Sequence, residues 1–192
     1  MPPKVKITKE DIITAAIQLV RANGASALNA RGIAAFLNCS TQPVFSNFAS
    51  MVDLEQETIN TAYQMYLDFI KNEAESGKYP KYKAFGMAYI RFAKEERELF
   101  KLLFMRDRTG EDLSPSTDFE ASVQMIMEGC GVPRETATLM HMEIWSCVHG
   151  FAVMIATSFL PLDTESISDM ISDVYHGLRT RHIYKESGNG SN

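Results

Sequence analysis

His141, Trp145 and His149 recur every four residues and so share one face of a helix, a spacing that helical metal sites use. The middle place is a tryptophan, which cannot ligate, and Cys147 lies off that face, so no metal site is expected. His149 reads instead as a satisfied core or interface histidine, or as a hydrogen-bond donor in a pocket. The acids of Glu95-Glu96-Arg97-Glu98 look like an exposed, salt-bridged face, and no nucleophile stands with a base. Neither an enzyme nor a cofactor is expected. Cys39, Cys130 and Cys147 are odd in number, widely separated and in no CxxC pair, which fits buried free thiols in a reducing compartment. The stretch that carries chemistry is residues 29–48, NARGIAAFLNCSTQPVFSNF. Two helices crossing steeply need a small residue where their backbones meet, a residue tolerant of left-handed backbone in the turn, and a β-branched residue in the seam. Ala34, Asn38 and Val44 meet those needs, and Ile33, Leu37 and Phe48 complete a small core. The spacing is that of a helix-turn-helix, which reads base edges in DNA; two arbitrary short helices in a bundle also match three such positions now and then.

Helices must position these side chains, and the apolar periodicity reads as helix almost throughout. Ile12, Ala15, Ala16, Leu19 and Val20 fall on one helical face, Thr8 is the cap, Glu10 and Asp11 sit in the first turn, and Gly24 supplies a left-handed stop. A second helix runs from Asn29 as cap to Leu37; the turn Asn38-Cys39-Ser40 follows, and a third helix ends near Phe48. Ser50 and Asp53 open a long fourth helix that ends before Gly77 and Pro80. Further helices are expected over 82–93, 95–106, 118–130, 133–160 and 164–183, with breakers at Gly110 to Pro115, at Gly129 and Gly131, and at Pro161. No segment shows the strict alternation of a strand. The expected fold is all-α: residues 1–53 as a three-helix helix-turn-helix domain, 54–184 as a larger helical domain, and 185–192 as a disordered tail.

Composition narrows the setting. With 192 residues, 45% hydrophobic and 22% charged, the chain is neither a disordered tail nor collagenous, and is long enough to bury a core. The most apolar stretch, residues 144–162, is interrupted by Ser146, His149, Gly150, Thr157, Ser158 and Pro161, so no membrane span is expected. The basic N-terminus runs into Lys9, Glu10 and Asp11 without an apolar segment, which excludes a secretion signal and leaves a cytoplasmic location. Net charge is −5, but residues 1–50 carry five cations (Lys4, Lys6, Lys9, Arg21, Arg31) against Glu10 and Asp11, an excess of +3, so the other 142 residues carry −8. A basic end on an acidic body suits a protein of which one end meets an anionic surface such as DNA, although such an excess is often a solvated face.

Val44-Phe45-Ser46-Asn47-Phe48-Ala49-Ser50-Met51-Val52-Asp53-Leu54 resembles the end of the N-terminal module of the tetracycline-repressor (TetR/AcrR) family of bacterial transcriptional regulators, as do Ala15-Ala16 through Gly24 to Ala34 upstream. Trp145 to His149-Gly150 resembles a Trp-x-x-x-His-Gly element in one branch of that family's ligand-binding domains. The resemblance implies that the third helix enters the major groove with Thr41, Gln42 and Pro43 toward base edges and Asn47 near the backbone or a base. Gln42 suits adenine and Pro43 a thymine methyl; Arg31 reads guanine, and Asn29 caps a second helix whose amides can hold a phosphate. Phe45 stands where the family has a phosphate-binding tyrosine, and Met51 where it has a lysine, which implies weaker affinity and a shallower salt dependence. Gly32 costs the second helix about 1 kcal/mol of propensity. Lys4, Lys6 and Lys9 are replacement phosphate contacts or simply solvated.

The acidic body is rich in aromatics and methionine, which adapt to irregular apolar shapes. Tyr66, Phe69, Tyr89, Phe104, Met125, Met142, Trp145 and His149 are the candidates for an effector pocket, each of them also a plausible core residue. By the same resemblance the last two helices build a dimer interface, with Gly150, Met154, Ala156, Met170 and Val174 as candidates. The function implied is that of a homodimeric regulator, a repressor released from a palindromic double-stranded operator by a small apolar or aromatic effector. The alternative is a relative with weakened DNA binding that acts through a protein partner or as a ligand sink.

Overall fold

The computed structural model describes the backbone of residues 7–110 and 117–189 and the side chains of residues 7–110 and 118–182. Lys4 and Lys6, the breaker at Pro115 and the side chains of the 185–192 tail lie outside the described residues. Within them the chain is all-helical: α1 (Lys9–Asn23), a 3-10 turn (Ala25–Ala27), α2 (Ala30–Phe36), α3 (Gln42–Asn47), α4 (Met51–Glu75), α5 (Lys81–Glu95), α6 (Arg97–Phe104), α7 (Thr117–Cys130), α8 (Arg134–Ala156) and α9 (Thr164–Asn189). α8 stops a turn short of the expected end at 160, because Thr157 caps it and Ser158 takes a left-handed φ of 54°. α9 continues past 183 to Asn189; Lys185 and Glu186 are good helix formers, and no breaker precedes Gly188 in that stretch.

The chain divides into two compact units. The first runs through Phe69 and takes in Glu95–Asp107; the second comprises Ile70–Lys94 and the residues from Arg108 onward. The expected boundary at 53/54 falls inside α4. α1 to α4 of the first unit close over Ile12, Ala15, Ala16, Ala30, Ile33, Val44, Phe48 and Leu54, and α6 packs on α1. In the second unit α8 packs between α7 and α9. α8 has the length and composition to cross a membrane (mean hydropathy 1.3 over its best window), with 33% of that window buried in the chain. A helix apolar on more than its packed side suits a further helix partner at least as well as lipid.

Candidate nucleic-acid interface

The first unit holds its helices in place with short-range bonds. Thr8 and Asp11 form a reciprocal capping box at the start of α1, and Gly24 ends it at φ 80°. Asn29 caps α2: its Oδ1 accepts the Gly32 N–H at 2.8 Å, and its amide donates to the Ala27 carbonyl at 3.1 Å. A Cβ on Gly32 would stand 3.1 Å from that same carbonyl oxygen, so the residue that weakens α2 by propensity also lets α2 dock against the preceding turn. Between α2 and α3, Asn38 adopts φ 50°, its N–H donating to Ala35 and that of Cys39 to Ala34. Ile33, Val44 and Phe48 meet in the common core; Ala34 is buried, Leu37 packs on the core's edge, and Asn38 is exposed.

On the outer side of this pair, Asn29, Arg31, Gln42, Phe45 and Asn47 are exposed, while Thr41 and Pro43 are half-buried. Asn47 turns its amide back on the Pro43 carbonyl at 2.8 Å, and the Ser46 hydroxyl donates to the Gln42 carbonyl at 2.9 Å. Met51 does not project with them: it packs on the apolar core. Charge is distributed less simply than the +3 excess suggests. Lys9 pairs with Glu57 and lies over the Phe48 ring, and Arg21 makes a two-pronged bond to Glu96 at 2.7 and 2.8 Å. Glu96 and Glu98 are thus salt-bridged, to Arg21 and Lys101 respectively, but half-buried, while Glu95 and Arg97 of the same stretch are exposed. Arg31 is left as the described cation of residues 7–50 with no ion pair.

The effector-pocket candidates fall in both units. In the first, Tyr66 meets the edge of Phe104 at 5.1 Å, and Phe69 is half-buried. In the second, the Tyr89 hydroxyl bonds His149 Nδ1 at 2.9 Å, and Trp145 stacks on the His149 ring at 5.0 Å. Trp145 and Met142 are over 40% exposed and Met125 is half-buried. Sequence reasoning missed a second pair of the same kind, Tyr82 with His141 Nδ1 at 2.9 Å. Burial lowers both histidines below the usual imidazole range and raises both tyrosines; for Tyr82 the neighbouring Tyr175 and Cys130 add to the effect. Both pairs are thus neutral at neutral pH. Tyr175, half-buried and bonded to Cys130 at 3.3 Å, is pushed up to about 12 by desolvation and by that bond. The nearest sequence signal for these cross-helix contacts is Gly86, midway between Tyr82 and Tyr89, where a Cβ would stand 3.3 Å from Val148.

Of the interface candidates, Gly150, Met154, Met170 and Val174 are half-buried, and a Cβ on Gly150 meets nothing within 4 Å. Ala156 is 0% exposed within one chain, so it has no surface to offer a second copy. Leu139, Met142 and Trp145 form an exposed apolar row on α8, and Phe159 and Leu160 are exposed just after it.

Residues 82–175 match the family described as tetracyclin repressor-like, C-terminal domain. No curated protein matches the chain. Among solved structures, a TetR-like transcriptional regulator from Rhodococcus sp. RHA1 superposes with a TM-score of 0.67 at 13% identity, over 96% of this chain and 98% of that one. A member of the TetR family from Streptomyces coelicolor A3 gives a TM-score of 0.60 at 15% identity, over 86% and 96% respectively. At such identities the likeness is one of fold, and the all-helical architecture is that of TetR-like regulators.

Proposed function

We propose that this chain is a DNA-binding transcriptional regulator of the tetracycline-repressor family, acting by binding and not by catalysis. The observation that carries the reading is the α2–α3 pair, turned at Asn38 and backed by Ile33, Val44 and Phe48, in a fold that a TetR-like regulator matches over 96% of the chain. DNA binding lies in residues 1–53, effector binding and dimerisation in residues 54–184. Thr41, Gln42, Pro43 and Arg31 read bases, with Asn29 and Asn47 beside the backbone.

The protein works as a cytoplasmic homodimer, since two recognition helices about one DNA turn apart are needed to read a palindrome. The exposed row Leu139, Met142 and Trp145, with the open space beside Gly150, supports a second copy on α8 and α9. A small apolar or aromatic effector, held among the aromatic and methionine side chains of the body, favours a conformation in which the modules no longer fit the operator, so the protein represses until it binds. The stacking of Trp145 on His149, one residue before Gly150, supports a place in the branch whose ligand-binding domains carry a Trp-x-x-x-His-Gly element.

Selection of bound duplexes from a random-sequence pool by the purified chain tests the reading. An enriched palindrome is the expected result; no enrichment, with a family member succeeding alongside, would overturn it. The second reading, a relative with weakened DNA binding, is favoured by the engagement of Lys9 and Arg21 with Glu57 and Glu96 and by Met51 packing on the core. In that case Phe45→Tyr should restore enrichment that the natural chain lacks.

A further inference from the structure

His141 of α8 is only 8% exposed, and its Nδ1 faces the Tyr82 hydroxyl of α5 at 2.9 Å. The Phe119 ring of α7 meets the imidazole edge-on at 4.8 Å, and the Tyr82 ring lies 6.1 Å from that of Tyr175 on α9. α5 and α7 thus contact His141 directly and α9 through Tyr82, all within the second unit. The Tyr82 hydroxyl has one hydrogen and, among the described residues, one hydrogen-bond partner, His141 Nδ1. It therefore donates and Nδ1 accepts. A neutral imidazole that accepts at Nδ1 carries its own proton on Nε2. That Nε2–H meets no acceptor among the described residues. An enclosed N–H without an acceptor is a standing cost to the fold, and one that a ligand can remove.

The chemistry of the surroundings selects the ligand. Burial holds the imidazole neutral, and no ion pair of the described residues involves it, so a carboxylate brought here would lose its hydration with no cation to offset the loss. A carbonyl oxygen takes up the same N–H at a far smaller desolvation cost, and the flanking rings of Phe119 and Tyr82 suit a flat ring beside it. We propose that His141 is a ligand-binding residue, its Nε2–H donating to the carbonyl oxygen of an uncharged aromatic carbonyl compound. Tyr82 is the positioning residue, since its hydroxyl fixes the tautomer that donates. The proposal deepens the effector reading and rests on it: the polar anchor is His141 and not His149, and the effector needs an acceptor as well as an apolar ring.

Acetophenone and ethylbenzene share ring and size and differ in the carbonyl oxygen, so together they isolate the hydrogen bond. Each is titrated into the full chain, with binding followed by calorimetry and by the histidine side-chain nitrogen resonances. Before ligand is added, His141 should carry its proton on Nε2. Acetophenone should move that resonance, and the ratio of its affinity to that of ethylbenzene should fall about tenfold in His141→Phe. In Tyr82→Phe, which keeps the ring and the imidazole, the proton should spread over both nitrogens of His141 and the ratio should fall by less. A His141 protonated on Nδ1 in the natural chain, or a ratio unchanged in a folded His141→Phe, would overturn the proposal; if that variant does not fold, the resonances of the natural chain decide alone. Acetophenone that moves His149 and leaves His141 in place would overturn the proposal and leave the effector reading standing. If neither compound binds, both fall, while the duplex selection still judges DNA binding.

Discussion

The two units of this molecule differ in the uncharged polar pairs that tie one helix to another. In the first, apart from the ion pairs Lys9–Glu57 and Arg21–Glu96, the bonds that shape α1 to α4 join residues three or four apart: Thr8 with Asp11, Asn29 with Gly32, Ser46 with Gln42, Thr58 with Leu54. In the second, they cross between helices distant in the chain: Tyr82 with His141, Tyr89 with His149, Lys83 with Ser172, Cys130 with Tyr175. A core of apolar side chains with local caps presents its outer face whatever happens inside. A core crossed by polar pairs is chemically particular, because each group must keep its partner or find another.

The contrast sets an order of mutational effects. Ile33→Ala removes a fully buried side chain from the small core of the first unit and should cost about 2–5 kcal/mol, read as a fall in the denaturant midpoint. A loss under about 1 kcal/mol would mean that the helix-turn-helix core is slack. Tyr89→Phe removes the hydroxyl that faces His149 Nδ1 and should cost about 1–3 kcal/mol with no effect on the first unit.

The same unit should respond to pH on both sides of neutrality. His141 and His149 titrate below their free value of 6.5, so the stability they contribute is complete above that value and is lost as pH falls through the lowered ones. The raised tyrosines act in mirror fashion: their contribution is complete below the free value of 10.0 and declines as pH rises beyond it. Replacing both histidines with glutamine should flatten the acid limb of the melting-temperature profile; a steep limb that survives the change would assign it to other groups. The smallest effect is expected for Asn29→Ala, about 1 kcal/mol, seen as earlier loss of helix in α2 and a weaker enrichment of operator duplexes.

Legibility in the sequence follows the same division. Caps, the turn at Asn38 and the apolar spacing of residues 33–48 depend on neighbours within one or two turns, so residue types reveal them directly. The ends of α8 and α9 depended on finer matters, a left-handed serine at 158 and the absence of a breaker before Gly188. Tyr82 gave no sign of His141, 59 residues away, because nothing in local periodicity encodes which helix faces which. Charge counting failed for a related reason. Lys9 and Arg21 belong to the basic end in sequence but are held by Glu57 and Glu96 in space, so a sum over fifty residues overstates what a phosphate would meet.

The path of the chain has an evolutionary consequence. α6 lies between α5 and α7 in sequence yet is grouped with the helix-turn-helix and packs on α1, tied there by Glu96 to Arg21. The unit that holds the helix-turn-helix is thus not a contiguous cassette. A hybrid made by grafting residues 1–69 onto a foreign body would leave behind Leu99, Phe100, Leu102 and Leu103, which are buried in the intact protein, and would bare the side of α1 that α6 covers. Under the proposed function, recombination that exchanges the helix-turn-helix unit while keeping the second unit must carry a second, short piece of sequence with it.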